Sequence, residues 1–216
     1  MKWIWTSEAL PIRNAYVRFR KSFEWDGAGD PELKITADSR YSLFINGEWL
    51  GFGPVRNDPA HWQYDVYQIA PFLRRGKNVL AVLVNHFGEG NFQYLTAPPG
   101  LALSLELPGG KNIFESDASW KASPSHAYAS YVPRISVQEG YEELFDARLE
   151  DEWKEVAYDD SSWKNAVLVP ASHPNVRPRD IPFLTAEKVF PTRILQAETV
   201  RPPRHSFVVD IRHYFA

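Results

Sequence analysis

The sequence predicts an all-β protein folded as a sandwich, with little helix. Three observations carry the prediction: short runs in which apolar and polar residues alternate, an Asn46-Gly47 pair between two such runs, and 17 prolines and 12 glycines spaced among them. Period two puts successive side chains on opposite faces of an extended chain. Asn-Gly supplies the positive φ angles that a type I′ hairpin needs at both central positions. Frequent turn residues bound strands of sandwich length, and no long window carries a helical i, i+3, i+4, i+7 stripe.

Taken in order, Tyr16 to Glu24 places Val17, Phe19 and Phe23 on one face and Arg18, Arg20, Ser22 and Glu24 on the other. That pattern describes a half-buried strand. Leu33, Ile35 and Ala37 repeat it. Tyr41 to Ile45 enters the Asn-Gly turn, and Glu48 to Leu50 leaves it. Tyr64 to Tyr67 predicts another strand. Val79 to Val84 is apolar on both parities, as expected of a central strand covered on both sides. Leu101, Leu103, Leu105 and Leu107 alternate with Ala102, Ser104 and Glu106, which predicts a strand with one wetter face before the Pro108-Gly109-Gly110 turn. After Pro170 the chain turns proline-rich and irregular. Residues 1–170 therefore read as one β domain and residues 171–216 as a linker and the start of a following β unit, with strand-like runs at 192–195 and 207–210.

Composition narrows the function classes. The 216 residues carry a formal charge of −3, which gives no electrostatic attraction to nucleic acid or an anionic membrane. Cysteine is absent, so disulfides and thiolate metal sites are excluded. The N-terminal residues lack the long apolar stretch of a secretory signal, and no run is long enough to span a bilayer. A cytoplasmic location is the expectation. Phosphate-loop, dinucleotide, nucleophile-elbow and zinc-protease patterns are missing. The six histidines are scattered, and the carboxylate pairs Glu142-Glu143 and Asp159-Asp160 do not report the separation a glycosidase needs across its scissile bond. No cofactor motif appears. Calcium stays open, because loop carboxylates such as Asp38, Asp58, Asp146, Asp159 and Asp160 could ligate a hard cation without a fixed spacing. Aromatic residues make up 14% of the chain, which suits both sandwich cores and stacking on sugar rings.

Several segments, taken together and in order, resemble the N-terminal domain of bacterial α-L-rhamnosidases of glycoside hydrolase family 78. They are Phe19 to Phe23, Ile35 to Gly47 with Gly51 to Val55, Tyr64 to Leu73 with Gly76 to Val79, and Asp117 to Lys121. The most specific stretch is Glu143-Leu-Phe-Asp-Ala-Arg148, followed by Trp153 and by Asp159-Asp-Ser-Ser-Trp163. Arg179 to Leu184 resembles the family's lead-in to its next β domain. Glu142 departs from the pattern, standing where a glycine is expected and raising the question of a positive φ. The resemblance implies a jelly-roll sandwich of the galactose-binding-like superfamily. It also implies that hydrolysis of terminal α-L-rhamnosides belongs to a separate catalytic domain, so no catalytic residue is assigned and this chain by itself is not expected to be an enzyme.

Candidate carbohydrate-binding residues are Phe145, Asp146 and Arg148 in the Asp-Ala-Arg element, Arg56, Asp58, Trp62 and Tyr64 in the loop after the hairpin, and His86 beside a glycine-loosened turn. Asp146 and Arg148 admit two readings: a carboxylate and guanidinium facing sugar hydroxyls, or an internal ion pair pinning a loop. The expected partners are a rhamnose-containing glycan and the catalytic domain. The alternative is a spacer or docking sandwich of a glycosidase with no sugar affinity. Trp120, Trp153 and Trp163 read as structural.

Overall fold

The computed structural model describes residues 1–10, 13–185, 190–199 and 205–210. The chain begins with β1 (Trp3–Trp5), β2 (Ala15–Trp25), β3 (Glu32–Asp38), β4 (Arg40–Ile45) and β5 (Glu48–Gly53). It continues with β6 (Gln63–Gln68), β7 (Gly76–His86), β8 (Gly100–Leu107), β9 (Lys111–Glu115) and β10 (Lys121–Pro124). Short pieces follow: β11 (Arg134–Ser136), β12 (Gly140–Tyr141), β13 (Lys164–Asn165), β14 (Val167–Leu168) and β15 (Arg177–Pro178). Two longer strands close the chain, β16 (Arg193–Thr199) and β17 (His205–Asp210). Helix among the described residues is limited to three single 3-10 turns.

Two sheets form the sandwich. One runs β14-β1-β8-β3-β6-β15, with β9 also paired to β8; the other runs β13-β10-β2-β7-β4-β5. Their facing sides include the apolar parities anticipated for β2, β3 and β8, joined by one parity each of β4 and β7. Val17 and Phe19, Leu80, Val82 and Val84, and Leu43 and Ile45 line one inner face, and Leu33, Ile35, Leu101, Leu103 and Leu105 line the other. Each is fully buried, and each such side chain contributes about 1.5–3 kcal/mol relative to exposure. The Asn46-Gly47 turn has φ angles of 51° and 88°. Asn46 fixes it from the side chain, accepting from the Val79 amide at 2.9 Å and donating to the Phe72 carbonyl at 3.0 Å.

Two faces are drier than their sequences suggest. Ala102 and Ser104 on β8 are buried, with Ser104 donating to Glu106, which also pairs with Lys34 at 2.8 Å. Arg18 and Arg20 on the outer face of β2 are buried as well. The segment 150–163 folds over them and supplies the polar partners that make burial of charge tolerable. Arg20 Nε donates to Asp160 at 2.9 Å and Arg18 Nη1 to Asp151 at 3.0 Å. The Arg18 guanidinium also lies over the Trp163 ring, 4.7 Å from its centroid. Trp120, Trp153 and Trp163 are all buried, as their structural reading requires.

The chain divides into two compact units, Met1–Asp180 and Ile181–Ala216. Residues 171–180, read from sequence as linker, pack within the first unit. There β15 pairs in parallel with β6, and His173 and Arg179 reach buried carboxylates. Proline spacing signals irregular backbone but says nothing of whether that backbone docks. In the second unit β16 pairs antiparallel with β17, where strand-like runs were expected.

Candidate functional site

The outer face of the second sheet is only half covered. Register places Tyr16, Asn85 and Arg40 in one row across β2, β7 and β4, with Leu83 and Ser42 in the next and Phe52 beside Ser42 on β5. The segment 150–163 covers the Arg20–Ala81–Phe44 end, with Trp153 edge-on to Phe44 at 6.0 Å. The opposite end stays open as a cleft of about 260 Å³. That is just under the roughly 300–1,000 Å³ of drug-sized pockets, a size suited to a small ring.

A long excursion after β10 forms the wall. Its two sides are zipped by Ala129 N donating to Leu144 O at 3.0 Å and Asp146 N donating to Ala127 O at 2.8 Å, with β11 and β12 paired near the tip. Tyr128 stacks on Tyr16 with ring centroids 4.4 Å apart and planes 13° apart, and Phe145 leans on Tyr128 at 4.8 Å. Asn14 joins wall to floor: its amide donates to the Ala129 and Ser130 carbonyls and its oxygen accepts from Asn85. Glu139, Tyr141 and Glu143 complete the lining.

The electrostatics suit hydrogen bonding to hydroxyl groups. Burial raises the Tyr16 and Tyr128 hydroxyls above the ordinary tyrosine value, helped by the Glu143 charge. Burial, with Glu89 beside it, pushes Tyr141 up to about 12. All three phenols therefore stay protonated at neutral pH and both donate and accept. The Arg40 guanidinium lies over the Phe87 ring at 4.8 Å and pairs with no carboxylate among the described residues. Burial lowers its pKa, an effect Tyr16 opposes.

Of the residues singled out from sequence, only Phe145 reaches this cleft's wall, through Tyr128. Asp146 and Arg148 pair with each other, Nε to Oδ1 at 2.8 Å and Nη2 to Oδ2 at 2.6 Å, the internal-pair reading. Glu142 takes an ordinary φ; the left-handed residue in this loop is Gly140, at 136°. Arg56 donates to the Phe92 carbonyl, Asp58 caps a 3-10 turn and holds His61, and Tyr64 is half-buried. Trp62 and His86 are buried around Asp38. The Asp38 carboxylate is fully enclosed and takes His86 Nδ1 at 2.8 Å, Tyr94 OH at 2.6 Å and His173 Nε2 at 3.0 Å. Trp62 stacks flat on His173 at 3.7 Å. This network joins β3, β7 and the 171–180 segment. No cluster of three or more His, Asp or Glu able to hold a metal occurs among the described residues.

Sequence reasoning passed over Tyr16, Arg40, Ser42, Asn85, Tyr128 and Glu139 as ligand-facing residues, and took Glu143 only as half of a carboxylate pair and the first residue of the motif ending at Arg148. Asn85 ends a row of β7 that is otherwise apolar (Val79, Ala81 and Leu83), whereas Tyr16, Arg40 and Ser42 share the polar parity of strands whose other parity is core. That signal marks a face as wet without saying which half is covered.

A family model described as the α-L-rhamnosidase N-terminal domain matches residues 30–187. The chain belongs to this family. Most of the cleft, from Arg40 through Glu143, lies within the matched span, and Asn14 and Tyr16 precede it. Among solved structures, the family 78 rhamnosidase of Bacillus sp. GL1 is 42% identical with a TM-score of 0.84, over 91% of this chain and 21% of that one. The Streptomyces avermitilis α-L-rhamnosidase solved with L-rhamnose is 25% identical with a TM-score of 0.51, over 77% of this chain and 14% of that one. The α-L-rhamnosidase of Formosa agariphila is 29% identical over 165 residues, 67% of this chain and 16% of the relative. This rhamnosidase N-terminal domain thus spans about a fifth of those relatives or less. No helix among the described residues is long and apolar enough to cross a membrane.

Proposed function

We propose that this domain is a non-catalytic carbohydrate-binding part of an α-L-rhamnosidase-type glycoside hydrolase, holding a rhamnose-containing glycan in the half-covered cleft of the second sheet. The catalytic domain that hydrolyses terminal α-L-rhamnosides is its partner within the longer enzyme. The observation that carries this reading is the lining itself: stacked Tyr16 and Tyr128 rings beside the Arg40 guanidinium, which pairs with no carboxylate among the described residues. Aromatic surface meets the C–H face of a sugar, and charged and phenolic groups meet its hydroxyls. A relative solved with L-rhamnose lends support to the choice of sugar.

Titration of the purified chain with L-rhamnose and a sugar panel, followed by NMR or calorimetry, tests the reading. Saturable binding is expected, weakened about tenfold by Tyr128→Ala, since an aromatic contact is worth roughly 0.5–1.5 kcal/mol beyond its buried area. A second reading, a docking sandwich with no sugar affinity, is favoured by exposed Leu144 (63%) and Leu149 (56%) on either side of the Asp146–Arg148 pair. Absence of binding at millimolar sugar selects it.

A further inference from the structure

Resting on the binding reading, we infer that the cleft selects neutral sugars over uronic acids, with Arg40 on one side and Glu139 and Glu143 on the other as the residues that set the choice. These three are the ionised groups of the lining, one cation against two carboxylates. Arg40 has no carboxylate partner among the described residues, and Glu143 makes no ion pair there either. Burial chiefly raises the Tyr16 hydroxyl's pKa, and it also feels both charges, Glu143 raising it and Arg40 lowering it, while register sets Arg40 in the Tyr16 row of the sheet. Among the described residues neither charge meets an opposite one in an ion pair, so both are available to a ligand.

A sugar hydroxyl answers both kinds of group, because it accepts from a guanidinium and donates to a carboxylate. One neutral polyol ring can satisfy Arg40 and Glu143 together, with the shared Tyr16–Tyr128 edge as an apolar rest. A uronate gains at Arg40 but brings a third carboxylate into a partly desolvated cleft that already holds two. Like charges at short range in such a setting repel more strongly than in bulk water. The two glutamates therefore act against the acidic ligand while accepting from the neutral one.

The test titrates the full chain with a matched pair, methyl β-D-glucopyranoside and methyl β-D-glucopyranosiduronate, and with L-rhamnose, at low salt. Neutral sugar is expected to bind at least threefold tighter than uronate. The double variant Glu139→Gln and Glu143→Gln keeps acceptor groups but removes their charge. It is expected to bring the uronate to parity with the neutral sugar or better, the ratio of the two affinities being the readout. Arg40→Gln is expected to weaken uronate more than neutral sugar. Uronate binding tighter than neutral sugar in the parent chain, or an affinity ratio unmoved by the glutamate variants, overturns the inference while leaving the binding reading standing. No binding of any of the three probes overturns the binding reading and this inference with it.

Discussion

Asp146 and Arg148 show how two charges two residues apart consume each other. Asp146 accepts the Arg148 backbone amide at 3.1 Å as well as two guanidinium bonds, which closes a single 3-10 turn. The Arg148 side chain, first, and its backbone N–H, second, hold the carboxyl down at about 2. A depressed carboxyl contributes stability above its unfolded pKa, near 3.9, and that contribution is lost as pH falls through the folded value. An NMR titration should find Asp146 ionised to about pH 2. Arg148→Met should move it partway toward 3.9, the backbone bond remaining. A carboxyl unmoved by that substitution would mean the ion pair is not formed in solution.

At the scale of elements, the segment 150–163 decides which half of the second sheet is core and which is cleft. It has no regular secondary structure. Its hold on the sheet comes from Trp153 and Trp163, whose rings sit 6.2 Å apart with Arg18 against both, and from the ties of Arg20 to Asp160 and the Glu155 carbonyl. Truncating a buried tryptophan leaves a cavity that such a scaffold fills poorly. Trp163→Ala should therefore cost about 3–5 kcal/mol, read as a lower midpoint in urea or on heating. An unchanged midpoint would show that the segment does not pack as described.

For the molecule as a whole, the first unit depends on a tail that looks dispensable in sequence. His173 closes the Asp38 network, and Arg179 Nη1 reaches the buried Asp65 carboxylate at 2.9 Å. Asp65 is also held by Tyr41. A chain ending at Asp180 should melt as the first unit does. One ending at Pro170 should be about 3–5 kcal/mol less stable, the cost of leaving a buried charge without its partner. At roughly 2–4 °C per kcal/mol for a unit of this size, that is a fall of about 6–20 °C. Equal melting of the two chains would remove 171–180 from the folded unit.

Much of the architecture was legible because it rests on local rules. Alternation named the inner parities of β2, β3 and β8, since a half-buried strand must place apolar side chains two apart. Asn46-Gly47 located a hairpin because few other pairs accept two positive φ angles in succession. The cleft was not legible. Arg18 and Arg40 are both polar outer-face residues, and nothing near either one says that Trp163 covers the first and that the second stays open. Trp62 and His86 sit beside loop-like sequence yet point inward, because their partners Thr36, Asp38 and His173 come from other strands and from the chain's later part.

The sequence by itself determined the sandwich class, most of the longer strands of the core and the family resemblance, all of which follow from short-range periodicity and motif order. The tertiary structure alone decided which charges are buried, where the first unit ends and which half of a polar face is left to meet a ligand. Those outcomes depend on contacts between residues more than a hundred positions apart, such as Arg20 with Asp160 and Asp38 with His173. Local propensity carries no information about such pairs, and only the closed sandwich brings them within reach.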